Sequence, residues 1–178
     1  MPTAEPERHQ VFRIAEPADA PVVGELYRDY IEVLREWNDD VGGELEEAWF
    51  AKPEQLYPIV ACRPDGAIDG FALVMAREYA QAMGCDGEHY FHALLVREEC
   101  RGKRLADALV HWIFERYRGR WCLEALTENR RAVEFWRRVV KSHSPEIEVR
   151  DDLFTHIHFE VEPGERAGSA RTPQGPRS

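Results

Sequence analysis

No run of the 178 residues stays apolar for anything near the roughly 20 positions that a helical bilayer span requires, so an integral helical membrane protein is excluded. The opening, Met1-Pro2-Thr3-Ala4-Glu5-Pro6-Glu7, is acidic and polar and lacks the apolar stretch of a secretory leader. A cytoplasmic protein is therefore expected. Cysteine is scarce. Cys62, Cys85, Cys100 and Cys122 form no C-x-x-C pair, and their gaps of 23, 15 and 22 residues match no common zinc spacing, so no metal and four reduced thiols are expected. Positive charge is also short. The net charge of −10 argues against a general nucleic-acid binder.

What is present suffices for one folded domain. Hydrophobic residues make up 44% and aromatics 11% of the chain, enough to bury a core without disulfide or metal. Residues 1–9 lack apolar periodicity, and 163–178 are rich in Pro, Gly and Ser, so both ends are expected to be disordered around a domain at 10–162. The charge is unevenly placed. Residues 1–96 hold seven basic and nineteen acidic side chains, whereas 97–141 hold twelve and seven. A basic segment inside an acidic chain points to a localised anion site.

Within the domain, Val11, Phe12 and Ile14 predict a strand, and Pro17 opens a helix at its favoured first-turn position. A second, short helix is expected near Ala48-Trp49-Phe50. The turn Arg63-Pro64-Asp65-Gly66 joins strands at 59–62 and 71–75. A strand at 88–96, a helix at 102–117, a strand at 121–126, a helix at 129–140 and two closing strands complete the pattern. Strand–helix–strand alternation in the second half requires a parallel pair, and the hairpin requires antiparallel ones. An α/β fold with a mixed central sheet of about six to seven strands, flanked by helices, is the expectation.

The informative stretch runs from Leu94 to Leu109. A strand ends at Val96, a basic loop follows, and a helix begins. Helix N-termini carry unpaired N–H groups and favour anions, which marks Arg101, Gly102, Lys103, Arg104, Leu105 and Ala106 as a candidate pyrophosphate site. At this point the sequence resembles the GNAT N-acetyltransferase superfamily. Its Arg/Gln-x-x-Gly-x-Gly/Ala motif, five residues after a strand-ending valine, is similar to Arg101–Ala106 after Val96, with Arg104 replacing the middle glycine. A second family element, a strand followed by Asn-x-x-Ala-x-x-Phe-aromatic, is similar to Trp121–Leu126 followed by Asn129, Ala132, Phe135 and Trp136.

The resemblance implies a single-domain GNAT fold and a transferase. An acetyl or other acyl group would pass from acyl-coenzyme A, acetyl-CoA first among them, to the primary amine of a small molecule by direct attack. Leu94 and Val96 would pair with the pantetheine arm. The 101–106 amides, with Arg101, Lys103 and Arg104, would hold the pyrophosphate, and Asn129 would contact the coenzyme or order the next helix. Trp136 stands where many relatives carry a tyrosine that protonates the leaving thiolate; an indole cannot do so, and Tyr117 is the nearby alternative. The base is sought on the strand at 88–96, where a two-residue period puts Glu88, Tyr90, His92, Leu94 and Val96 on one face. His92 comes first, then Glu88 and Tyr90. The acceptor pocket is expected near Trp37, Asp39 and Asp40, with His156 and His158 beside it. Two alternatives remain open: the same fold using an aminoacyl-tRNA donor, suggested by the basic segment, and a non-catalytic acyl-CoA-binding module. A monomer or a homodimer is expected.

Overall fold

The computed structural model describes residues 10–52, 54–150 and 153–162. The two ends expected to be disordered, 1–9 and 163–178, lie outside the described residues. Seven strands form one mixed sheet in the order β1-β2-β3-β4-β5-β7-β6. They are β1 (Val11–Ile14), β2 (Leu56–Cys62), β3 (Ile68–Ala76), β4 (His89–Val96), β5 (Gly119–Leu126), β6 (Glu146–Arg150) and β7 (Phe154–Val161). Only β4 and β5 pair in parallel. The helices are α1 (Ala20–Arg35), α2 (Ala48–Ala51), α3 (Arg77–Ala82), α4 (Leu105–Arg116) and α5 (Arg130–Val140).

Strands β2 to β5 read as nearly continuous apolar runs because helices cover both faces of the sheet. On one face Ile59, Ala72, Val74, Phe91 and Leu123 pack with Leu109, Ile113 and Trp136 of α4 and α5. On the other, Val60, Phe71, Leu73, Ala93 and Leu95 pack with Val23, Leu26 and Ile31 of α1 and Trp49 of α2. The β2–β3 turn forms where predicted. Gly66 holds a positive φ of 87°, and its N–H donates to the Arg63 carbonyl at 2.9 Å.

Two features were not legible. Helix α3 buries only Ala80, so it has no apolar period to read. Strand β7 inserts between β5 and β6, which local pattern cannot reveal.

Strand β4 corrects the expected alternation. Leu73 pairs with Ala93 and Val74 with Phe91, so His92 has no partner on β3 and forms a β-bulge. An extra residue reverses which face the following side chains occupy. Glu88, Tyr90, His92, Leu94 and Val96 therefore do not share a face. Tyr90 joins a cluster with α3, and the His92 ring lies against Trp49 on the α1 side. Leu94 and Val96 pack on the α4–α5 side.

The cysteines also need correction. Cys85 and Cys122 form a disulfide, with Cα atoms 5.8 Å apart, while Cys62 and Cys100 are free and buried. The loop before β4 folds against β5, where the Glu88 N–H donates to the Arg120 carbonyl at 2.8 Å. That contact brings together two cysteines 37 residues apart in sequence.

Candidate active site

Strands β4 and β5 pair only at His89–Trp121, Tyr90–Cys122 and Phe91–Leu123. Beyond the bulge they separate and leave a cleft of about 380 Å³. His92 to Val96 line one wall, and Glu124, Ala125 and Leu126 line the other. Arg101 of the loop, Ala106 of α4 and the α5 residues Arg131, Ala132, Phe135 and Trp136 close the α4–α5 end, together with Asn129.

The basic loop leads into the N-terminus of α4. After Arg101, Gly102 adopts φ 77° and Arg104 φ 56°, and α4 begins at Leu105. The Arg104 side chain does not cap α4, and Asp107 takes its own N–H and pairs with Arg138, which leaves the Leu105 and Ala106 N–H groups without a side-chain partner among the described residues. A Cβ at Gly102 would meet no atom within 4 Å, so the approach to the loop is open. Arg101 lines the cleft, and its Nε donates to the Val96 carbonyl at 3.4 Å. Lys103 is exposed, while Leu105 is buried in the core. This combination of unclaimed amides, arginine and an open strand edge fits the pyrophosphate and pantetheine arm of a coenzyme A thioester.

Arg104 has a left-handed backbone, a conformation that favours glycine. Its side chain turns away from the cleft, into a groove between α4 and α5 that it shares with Asp107, His111 and Arg138. A left-handed non-glycine residue costs about 1–2 kcal/mol, and glycine gives back part of this in unfolded-chain entropy. Arg104→Gly is therefore expected to stabilise the fold by up to about 1 kcal/mol, read as a higher denaturant midpoint at constant m-value.

Asn129 caps α5, its Oδ1 accepting from the Ala132 N–H at 3.1 Å, and it also borders the cleft. Trp136 is buried edge-to-face against Phe91 at 4.7 Å and reaches the cleft, where its indole offers no acid. Tyr117 lies elsewhere, stacked on Tyr57 at 4.6 Å, and does not line the cleft.

The α1 side of the cleft holds the titratable groups. His92 stacks on Trp49 at 5.5 Å, and its carbonyl accepts a long hydrogen bond from the Tyr30 hydroxyl at 3.5 Å. Burial pushes the imidazole down to about 4, so it is neutral at physiological pH. Burial, then the neighbouring Glu124 carboxylate, raises the Tyr90 phenol, which keeps its proton. Glu124 lines the cleft from β5, and His156 of β7 places Nδ1 3.0 Å from its carboxylate.

Glu88 is not in the cleft. It receives the Arg120 N–H at 2.6 Å and pairs with Arg77 at 2.8 Å, contacts that hold its carboxyl below the usual range. His158 lies one turn of the strand pleat away from His156, in a groove with Asp86, Arg120 and Glu160. Trp37 is 40% exposed, Asp39 and Asp40 are exposed, and none of the three lines the cleft. Glu124 was missed, although one charge inside the apolar strand Trp121–Leu126 was a visible signal.

The His92 environment carries a pH signature. In the unfolded chain the ring titrates near 6.5, and in the fold near 4. Below pH 6.5 the unfolded state binds the additional proton, so this contribution to stability, complete above that pH, is lost as pH falls towards 4. Denaturation midpoints between pH 7.5 and 4 are expected to fall less steeply in His92→Phe than in the parent.

Among the described residues, no three His, Cys, Asp or Glu side chains cluster as a metal site would, and no helix is long and apolar enough to cross a membrane. The model of the acetyltransferase (GNAT) family matches residues 23–140, more than half of the chain. No curated protein matches by sequence. Among solved structures, a GNAT phosphinothricin acetyltransferase from Sinorhizobium meliloti in complex with AcCoA is similar, with TM-score 0.62, 18% identity and 93% coverage of each chain. A GNAT acetyltransferase from Listeria monocytogenes aligns with TM-score 0.64 and 15% identity over 85% of this chain and 94% of that one. A spermidine N-acetyltransferase variant from Vibrio cholerae aligns with TM-score 0.58 and 13% identity over 85% and 94%.

Proposed function

The chain belongs to the GNAT acetyltransferase family, and on that premise we propose that it transfers an acetyl group from acetyl-coenzyme A to the primary amine of a small molecule by direct attack. Family membership carries the acetyl-CoA-dependent N-acetyltransferase activity. The acceptor and the residue roles are our reading. The observation that carries it is the cleft opened beyond the His92 bulge, with anion-binding amides at one end and the Glu124 carboxylate at the other.

The donor supplies a thioester carbonyl open to attack by an uncharged amine. The first-turn amides of α4 and Arg101 hold the diphosphate charge, and the open edge of β4 from His92 to Val96 offers backbone groups to an extended arm. Glu124 attracts the incoming ammonium and takes its proton. The adjacent His156 Nδ1–H supports the carboxylate and links it to the β7 side. Burial holds the Tyr90 phenol neutral and makes it a weaker acid, so it can offer a hydrogen bond to the departing sulfur while solvent supplies the proton that Trp136 cannot. His92, neutral and packed on Trp49, shapes the wall between donor and acceptor. Holding amine and carbonyl together in this way contributes positioning in addition to proton transfer.

The test is calorimetric titration with acetyl-CoA at about 100 mM salt, a concentration at which phosphate contacts still register, followed by thiol release with a panel of amines. Micromolar binding that is lost in Arg101→Glu is expected, together with turnover on at least one small amine. Binding without turnover on any amine would favour a binding module. Failure to bind acetyl-CoA, with ribonuclease-sensitive activity that falls steeply with salt, would favour an aminoacyl-tRNA donor.

A further inference from the structure

The two faces of the cleft differ in charge. On the donor side Arg101 and Arg131 border it. On the acceptor side the wall is made by Tyr30, Val33 and Leu34 of α1, Met83 after α3, and Phe154 of β7. Among the described residues that line the cleft, Glu124 is the one carboxylate, and Arg101 and Arg131 come from the α4 loop and α5 rather than from α1 or β7. The acidic side chains of the α1–α2 connection, Glu36, Asp39, Asp40, Glu44, Glu46 and Glu47, do not border it.

Each ionic group brought into such a wall needs a partner, because an unpaired charge taken from water is strongly penalised. One carboxylate can accommodate one ammonium. A polyamine would leave its further ammonium groups among Val33, Leu34 and Phe154, and an amino acid would leave its carboxylate without a cation. An alkyl or aryl body, in contrast, gains by leaving water against this surface. The neutral state of His92 is consistent with this, since the ring adds no positive charge to repel the substrate.

Resting on the acetyltransferase reading above, we propose that the acceptor is a monoamine whose single ammonium meets Glu124 and whose apolar or aromatic body lies against Tyr30, Val33, Leu34, Met83 and Phe154. Polyamines and free amino acids are then poor substrates. Met83, at 41% exposure, is a position where a second charge can be added without disturbing the core.

The experiment uses the full chain and compares kcat/KM for 2-phenylethylamine, hexylamine, propylamine, spermidine and glycine by thiol release from acetyl-CoA. The first two are expected to exceed spermidine and glycine at least tenfold, and hexylamine to exceed propylamine by well over tenfold, since three methylenes are added and each contributes to discrimination. Met83→Glu is expected to raise the spermidine-to-hexylamine ratio at least tenfold while acetyl-CoA affinity stays unchanged. A preference for spermidine or glycine in the parent overturns the proposal, and so does an unmoved ratio in the variant. Loss of the donor reading is seen separately, as failure of the parent to bind acetyl-CoA in the calorimeter.

Discussion

Glu124→Gln is expected to lower kcat/KM by about 10²- to 10⁴-fold, the range over which a positioned proton acceptor contributes, while the affinity for acetyl-CoA changes little. The substitution keeps the shape of the side chain and removes only its charge and basicity. Glu124 borders the cleft where β4 and β5 have parted, and it is the carboxylate there that an amine can reach. His156 Nδ1 lies 3.0 Å away and can still donate to the amide oxygen of glutamine, so the local packing survives. The donor loop, at the other end of the cleft, does not touch it. The measurement is steady-state kinetics with both substrates varied, together with acetyl-CoA titration. A kcat/KM within threefold of the parent would remove Glu124 from the mechanism and return attention to His92. Weakened acetyl-CoA binding would show that the residue supports the cleft rather than the chemistry.

Trp121→Ala is expected to destabilise the fold by about 3–5 kcal/mol, as for other large aromatic truncations in cores. That is a large share of the roughly 5–15 kcal/mol that holds a domain together. Trp121 is only 1% exposed. Its ring packs on Phe91, Phe114, Phe159 and His89, with centroids 6.0, 5.1, 6.3 and 4.6 Å away. Its Nε1–H donates to the Tyr117 carbonyl at 3.1 Å, so truncation also strands a polar group at the end of α4. The residue pairs with His89 at the last stretch where β4 and β5 are joined. Weakening it should widen the fork as well as lower the melting point, by roughly 6–20 °C at the 2–4 °C per kcal/mol typical of this chain length. Thermal and urea unfolding measure the loss. Trp121→Phe, which keeps most of the ring contacts, should lose distinctly less. Equal losses in the two variants would locate the effect in the indole hydrogen bond rather than in packing.

The strand, loop and helix start at 94–109 were legible in the sequence because their signal is local. Val96, Arg101, Gly102, Leu105 and Ala106 lie within eleven consecutive residues, and a strand, a turn and a helix start follow from apolar period and turn chemistry alone. That Asn129 caps α5 and Trp136 lies on its buried face follows from the same kind of short-range pattern. Even the departure at Arg104 was visible, although the sequence could not say that the residue would border the α4–α5 groove with a left-handed backbone.

The acceptor half depended on contacts between distant segments. Glu88 and His92 are four residues apart, yet one ends in an ion pair with Arg77 and the other against Trp49. A single unpaired residue in β4 reversed the faces that a regular two-residue period assigns, and no local composition marks a bulge. Glu124 gains its setting only because β7 lies beside β5 and brings His156 across from it. Cys85 meets Cys122 only because the loop before β4 folds onto β5. The sequence by itself therefore determined the order of elements, the mixed sheet and the basic loop between β4 and α4, since each arises from hydrogen bonding and burial among near neighbours. Tertiary structure alone decided which face each β4 side chain occupies, where the strands part and which carboxylate stands in the opening, because strand register and pairing are settled by packing between segments far apart in the chain.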